Sequence, residues 1–209
     1  GECSCVSVHG ANRLGTNSLL DLLVFGRAAG HHIVEHTDKA REHKPLPKDC
    51  ADATLARLAR LNDAKDGEYA QDVANDIRKT MQKHAGVFRT QASMDEGVAQ
   101  IAELRKRVEA IGLKDKSQVF NTARIEALEV ENLIEAAEAT MVSAAARRES
   151  RGAHTVDDYG DTPENPLGRN DRDWMKHTLW YSQGNRLDYK PVKMQPLTVE
   201  SVPPKVRTF

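Results

Sequence analysis

The sequence has no long apolar run, no excess of charge of either sign and few cysteines. No stretch approaches the roughly 18 consecutive apolar residues that a membrane-spanning helix needs. The longest apolar stretch, residues 19–26, is interrupted by Asp21 and predicts a buried helix instead. A membrane-spanning chain is therefore not expected.

The charges are balanced, with 30 basic and 31 acidic residues and a net charge of -1. A chain that binds nucleic acid or an anionic membrane surface usually carries a clear basic excess. The composition therefore gives no reason to expect either partner.

Only three cysteines are present, Cys3 and Cys5 as a C-x-C pair and Cys50 alone. Two thiols on one face of a strand suit a metal, but no second Cys/His cluster at zinc spacing accompanies them. We therefore expect ordinary buried thiols in a reducing compartment rather than a metal site.

Several familiar motifs are also missing. The sequence contains no G-x-G-x-x-G fingerprint, no P-loop, no nucleophile elbow and no H-E-x-x-H. It begins at Gly1, inside a strand-like stretch and without a recognisable leader, which suggests a fragment, a processed piece or a partial sequence.

The first 50 residues predict a strand, a loop, a helix and a connection. Residues 3–8 read as a short strand, and a polar loop follows. Ser18 and Asp21 fit a capping box, so we expect the serine oxygen to accept a backbone N–H at the helix start. The helix should end near Gly30. Residues 35–50 are polar, hold two prolines and predict a linker.

The middle of the chain predicts a helical bundle. Three one-sided apolar stripes recur at helical spacing, and they must bury their faces against each other. The stripes are Ala70, Ala74, Ile77 and Met81; Met94, Val98, Ile101, Leu104, Val108 and Ile111; and Ala123, Ala127, Val130, Ile134, Ala137 and Met141.

The last 60 residues predict an irregular loop followed by two strands joined at residues 183–185. The expected class is α+β. The predicted organisation is a strand, loop and helix over 1–34, a linker over 35–50, a helical bundle over 51–149 and a C-terminal loop and hairpin over 150–209.

The block HGANRLGTNSLLDLL has the parts of an anion-binding site. Arg13 offers a planar fork suited to a carboxylate or phosphate, and Gly15 lets a ligand approach the backbone. Asn12, Asn17 and Ser18 add neutral hydrogen-bonding groups at a helix N-terminus, where the backbone carries partial positive charge. The alternative interpretation is a well-capped helix with a surface arginine.

Other polar residues favour structural roles. His31 and His32 lie at the predicted helix end, where positive charge interacts favourably with the dipole, and we expect that role rather than metal binding. His9 favours a hydrogen-bonding or packing role over substrate contact. Arg151 and His154 in the block SRGAH favour a supporting role over direct ligand contact.

Several long blocks, in order, resemble one known family. The segments HGANRLGTNSLLDLLVFGRAAG, FNTARIEALEVENLIEAAEATMVSAAARRESRGAH, WMKHTLWY, LDYKPVKMQPLT and PPKVRTF are similar to the C-terminal part of succinate dehydrogenase and fumarate reductase flavoprotein subunits. The resemblance covers nearly the whole chain. It is strongest toward the respiratory succinate dehydrogenases of bacteria and mitochondria.

The resemblance implies that FAD is the cofactor and succinate the substrate, oxidised to fumarate. It also implies that residues 1–34 are the C-terminal end of an FAD-binding domain. It assigns Glu2 to the FAD ribose, Arg13 to a substrate carboxylate, and Ser18 and Leu19 to the flavin ring. It places no catalytic residue in this chain, because the family's proton-transferring arginine and its glycine-rich FAD motif have no counterpart here. The chain alone is therefore expected to be inactive.

The resemblance also implies partners and a location. The partners are the N-terminal part of the flavoprotein, an iron–sulfur subunit and membrane anchor subunits, with electrons passing to quinone. The location is peripheral, on the cytoplasmic face of the bacterial inner membrane or the matrix side of the mitochondrial one. The alternatives are a fumarate reductase flavoprotein fragment and a non-catalytic helical interaction module.

Overall fold

A computed structural model describes residues 4–10, 13–37 and 44–205. The chain divides into two compact units, Gly1–Leu55 and Ala56–Phe209. Within the described ranges, no helix is both long enough and apolar enough to cross a membrane.

The first unit contains one long helix, α1 (Asn17–His36). The predicted strand over residues 3–8 is wrong for residues 4–8, which form no strand. Cys5 and Ser7 have φ angles of 45° and 64°, which are incompatible with an extended strand. Two left-handed residues within five positions therefore prevent the extended backbone that the apolar alternation suggested. The predicted burial of the thiols is also wrong for Cys5 and Cys50, which are both exposed.

The predicted end of α1 near Gly30 is also wrong, and so is the predicted burial of this helix. Gly30 has no positive φ angle and lies inside the helix, so it cannot act as a left-handed C-terminal residue. No residue of α1 is buried in the chain, and Leu23 and Val34 are 70% and 80% exposed. An apolar helix face is buried only where an apolar counterpart covers it, and the described residues of this unit do not cover it.

The predicted capping box is wrong as well. The N-cap is Thr16, whose side chain makes no capping hydrogen bond. Ser18 lies one residue inside the helix, where its hydroxyl donates to the carbonyl oxygen of Gly15 at 3.3 Å. The helix begins two residues earlier than the capping box requires, so the serine oxygen is not at the capping position.

The second unit is built on the predicted helical bundle, which is confirmed. Its helices are α2 (Asp52–Asp63), which begins at the end of the first unit, α3 (Ala70–His84), α4 (Gln91–Glu109) and α5 (Thr122–Ala146). All three predicted stripes face inward. Fifteen of their sixteen residues join a common core or pack against it. The remaining one, Met94, forms a second small cluster with Ala144, Ala145 and Val156.

Helix α4 approaches both α3 and α5 closely at Gly97. A β-carbon at this position would lie 2.7 Å from the β-carbon of His84 and 2.7 Å from the sulfur of Met141. Such distances are shorter than real carbon contacts, so the absence of a side chain allows the three helices to meet here.

Side-chain caps and ion pairs fix the helix ends. Thr90 accepts a hydrogen bond from the backbone N–H of Ser93, and Asn121 accepts one from that of Arg124 at 2.9 Å, as N-caps do. Arg57 and Arg60 of α2 both pair with Glu131 of α5. These contacts hold α2 against the bundle.

The C-terminal region completes the α+β class, which is confirmed. A short strand, β1 (Phe88–Arg89), pairs in parallel with β2 (Thr155–Val156). The predicted hairpin is confirmed as β3 (Lys176–Tyr181) paired antiparallel with β4 (Arg186–Pro191), joined through Gln183–Asn185. A short helix, α6 (Asp171–Trp174), precedes the hairpin.

Candidate functional site

The predicted ligand-binding residues lie around the start of α1, except for Glu2, which falls outside the described residues. Arg13 is exposed in the loop that leads into the helix. Ser18 and Leu19 are the second and third residues of α1, and Leu19 is 77% exposed. A β-carbon added at Gly15 would meet no atom of the described residues within 4 Å, so among these residues open space adjoins the backbone at this point.

The helix start offers backbone donors to a ligand. The first N–H groups of any α-helix lack intrahelical partners, and the Thr16 side chain does not cap them here. The first turn also carries no acidic side chain that would neutralise the positive end of the dipole. An arginine, an open glycine and an uncapped helix start therefore lie within six residues of one another.

A hydrogen bond that the sequence did not predict joins the loop to α1. His9 Nε2 lies 2.7 Å from Asp21 Oδ2, and the two side chains are 25% and 12% exposed. This contact fits the hydrogen-bonding role expected for His9. It also explains why an acidic residue interrupts the apolar stretch: Asp21 accepts a hydrogen bond from His9, which lies in the segment that precedes α1.

The second unit contains a separate cluster of charged residues at the end of α5. Glu149 is completely buried, and both of its carboxylate oxygens accept hydrogen bonds. Arg147 Nη1 and Arg151 Nε each donate to Oε1 at 2.7 Å, while Arg151 Nη2 and the backbone N–H of Asn170 donate to Oε2 at 3.0 and 2.9 Å. Four donors thus surround one buried carboxylate.

The arginines of this cluster extend it to the C-terminal region. Arg147 also donates to the carbonyl oxygens of Trp174 and Lys176, at 3.0 and 2.7 Å. Arg151 donates to Asp171 at 2.7 Å. Burial lowers the pKa of Arg151, but its bonds to Glu149 and Asp171 outweigh that effect, so its pKa is raised. Each arginine is paired inside the protein, which fits a supporting role.

His154 is buried beside this cluster as a neutral ring. Its Nδ1 lies 2.9 Å from Arg89 Nη1, which can only donate, and its Nε2 lies 3.1 Å from the carbonyl oxygen of Arg147, which can only accept. The proton therefore belongs on Nε2. Burial lowers the pKa of His154, and the positive charges of Arg89 and Arg147 lower it further, against the bond to the Arg147 carbonyl.

This geometry predicts that the protein loses stability in mild acid. Below the ordinary histidine pKa near 6.5, the unfolded chain binds a proton that folded His154 resists, so the free energy of unfolding falls as pH decreases through this window. Urea titrations between pH 7.5 and 5.0 should show a shallower decrease for His154→Gln than for the original chain. An identical slope in His154→Gln and in the original chain would contradict the assignment.

Sequence reasoning placed Arg13, Ser18 and Leu19 around one helix start, but it missed the His9–Asp21 pair and the role of Glu149. A signal for the first pair was present, since an acidic residue within an apolar stretch requires a partner. Glu149 gave no such signal, because its neighbours in RRESR are all polar.

Comparisons with known proteins match the whole chain to one family. The family described as "Fumarate reductase flavoprotein C-term" matches residues 74–209. The succinate dehydrogenase flavoprotein subunit of Coxiella burnetii is 45% identical over 207 residues, which cover 99% of this chain and 34% of that protein. The mitochondrial succinate dehydrogenase [ubiquinone] flavoprotein subunit of Oryza sativa subsp. japonica is 41% identical, over 100% of this chain and 33% of its own length.

Solved structures agree with the sequence comparison. The structure titled "Quinol-Fumarate Reductase with Menaquinol Molecules" superposes with a TM-score of 0.81 at 35% identity, covering 94% of this chain and 34% of that one. The chain spans about a third of the length of the curated relatives it matches.

Proposed function

The chain belongs to the succinate dehydrogenase and fumarate reductase flavoprotein family, and from this membership we propose that it is the C-terminal part of a succinate dehydrogenase flavoprotein subunit. The complete subunit would oxidise succinate to fumarate with FAD and pass electrons through an iron–sulfur subunit to quinone. The chain would supply one part of the site and be inactive alone. The observation that carries the proposal is the 45% identity to a succinate dehydrogenase flavoprotein subunit over almost the entire chain.

Arg13 is the residue proposed to bind a carboxylate of the substrate. A guanidinium group presents two parallel N–H donors that match the two oxygens of a carboxylate. The side chain is exposed at the helix start, where a ligand can reach it. The His9–Asp21 bond supports this role, because it fastens the preceding loop to α1 and so limits the positions that the loop can take.

The start of α1 fits an FAD ring. FAD, when bound, supplies the acceptor for the two electrons removed from succinate. Ser18 would offer a hydroxyl and backbone N–H, the exposed side chain of Leu19 would offer apolar contact, and the uncapped helix dipole would favour negative charge. The space beside Gly15 is open among the described residues, so a ligand can approach the backbone there. Glu2 is proposed to contact the ribose.

The proposed organisation follows the family. Residues 1–34 would end the flavin domain, 35–50 would link it to the bundle over 51–149, and 150–209 would form the C-terminal region. The partners would be the remaining part of the flavoprotein, an iron–sulfur subunit and membrane anchor subunits. The complex would lie peripherally at the cytoplasmic face of the bacterial inner membrane or the matrix side of the mitochondrial one.

Fumarate reduction is the second candidate function. The observation that favours it is the superposition on a quinol–fumarate reductase at 35% identity. Fumarate reduction and succinate oxidation interconvert the same two substrates, so the same site could serve either direction. The direction depends on redox potentials rather than on the residues described.

A chimaeric subunit tests the proposal. The region of the Coxiella burnetii subunit that matches this chain is replaced by the chain, and the protein is purified with its iron–sulfur partner. We expect a flavin absorption spectrum and malonate-sensitive succinate oxidation with a dye acceptor, whereas the isolated chain should show neither. A soluble, folded chimaera that lacks flavin and activity would contradict the proposal and favour a non-catalytic helical module.

A further inference from the structure

The last two turns of α1 carry three exposed histidines. His31, His32 and His36 lie on a continuous helix, because α1 ends at His36 rather than near Gly30. His32 and His36 are four residues apart and therefore lie one turn apart on the same helix face. Their rings stack, with centroids 4.0 Å apart and planes inclined by 26°.

A backbone hydrogen bond fixes the tautomer of His36. Its Nδ1 lies 3.0 Å from the carbonyl oxygen of His32, and a carbonyl can only accept, so Nδ1–H donates. The lone pair of the neutral ring is consequently on Nε2, which is the atom available to a metal ion. Histidines that bind metals commonly donate their other N–H to a backbone carbonyl in this way.

In contrast to the dipole role that the sequence favoured for His32, we propose that His32 and His36 form a binding site for a divalent transition-metal ion that prefers imidazole ligands. Two imidazoles on one helix face supply nitrogen donors of the kind that copper, nickel and zinc ions prefer, whereas magnesium and calcium prefer oxygen. Within the described ranges, no third histidine, cysteine or acidic residue completes a group of ligands.

His31 differs from its neighbour and provides a matched control. Its Nε2 lies 3.4 Å from Arg27 Nε, which donates to it. The lone pair of that nitrogen is therefore engaged, and a positive guanidinium stands where a metal ion would bind. Removing His31 should leave metal binding by the other two histidines intact.

The test is calorimetric titration of nickel ions into the untagged 209-residue chain, with all thiols alkylated so that cysteine cannot bind the metal. His32→Ala and His36→Ala should each weaken nickel binding at least about tenfold, since even outer-shell partners of metal ligands cost about 10–100-fold. His31→Ala should bind as the original chain does. Copper should bind more tightly than nickel, and magnesium should not bind.

Circular dichroism verifies that each variant keeps its helix, as expected because alanine has a higher helix propensity than histidine. Equal nickel affinity in all four proteins, or absence of nickel binding to the original chain, would overturn the proposal. The loss of binding in His31→Ala alone would also overturn it. None of these outcomes depends on the flavoprotein function, because the readout is metal binding to this chain.

Discussion

Replacing Arg13 with alanine in the chimaeric subunit should lower kcat/KM for succinate by about 10²–10³-fold, the effect of removing one preorganised charge-stabilising donor from an active site. The guanidinium would hold a carboxylate through two charge-assisted hydrogen bonds, so its loss should raise KM and reduce kcat. Arg13→Lys should recover only part of the activity, because an ammonium keeps the charge but loses the planar fork. Steady-state succinate oxidation measures both effects.

Arg27→Ala is the matched control for this experiment. Arg27 is an exposed arginine in the middle of α1, where it bonds to His31. The Arg27→Ala variant should keep kcat/KM for succinate within about twofold of the original chimaera, in line with the small effects of exposed surface substitutions. The flavin content of Arg13→Ala should remain normal, because Ser18 and Leu19, not Arg13, are assigned to the ring. Normal kinetics in Arg13→Ala would refute the assignment of the carboxylate site.

Replacing Glu149 with glutamine should lower the free energy of unfolding of the second unit by about 3–5 kcal/mol, as expected when one partner of a buried ion pair is removed. The variant leaves Arg147 and Arg151 facing each other without the carboxylate that separates them. The amide also places an N–H group where an oxygen accepts from the backbone of Asn170. Urea unfolding followed by circular dichroism at pH 7.5 measures the loss.

Glu103→Gln is the control for the buried carboxylate. Glu103 pairs with Lys106 on the surface of α4 at 2.6 Å, where the two side chains are 69% and 70% exposed. Exposed pairs contribute about 0–1 kcal/mol, so this variant should unfold almost as the original chain does. Similar losses for Glu103→Gln and Glu149→Gln would show that burial of the pair has no special effect.

The bundle could be predicted from the sequence because its information is local and periodic. Ala127, Val130, Ile134, Ala137 and Met141 repeat at steps of three and four, and all five are buried on one face of α5. The hairpin could be predicted equally well, since its two strands flank Gly184 and Asn185, residue types that favour turns. A periodic pattern of this kind can be recognised without knowledge of the contacts that the rest of the chain makes.

The features that sequence reasoning missed depend on partners far away in the chain or on backbone geometry. His9 and Asp21 are twelve residues apart, and Glu149 bonds to Asn170 across 21 residues. The strand predicted over residues 3–8 failed because left-handed φ angles at two positions override a short apolar alternation. The candidate site itself could be predicted from a specific sequence block. The hydrogen bond between His9 and Asp21 that supports it is visible only in the structure.

The pairing of β1 with β2 has a consequence for the order of folding. It joins segments separated by α4 and α5, and Arg89 and His154, which meet beside it, are 65 residues apart. Closing so long a loop costs conformational entropy that a ladder of two residue pairs cannot offset alone. The strands can therefore meet only after α4 and α5 have packed against each other, which makes this small ladder a late event in folding and an early one in unfolding.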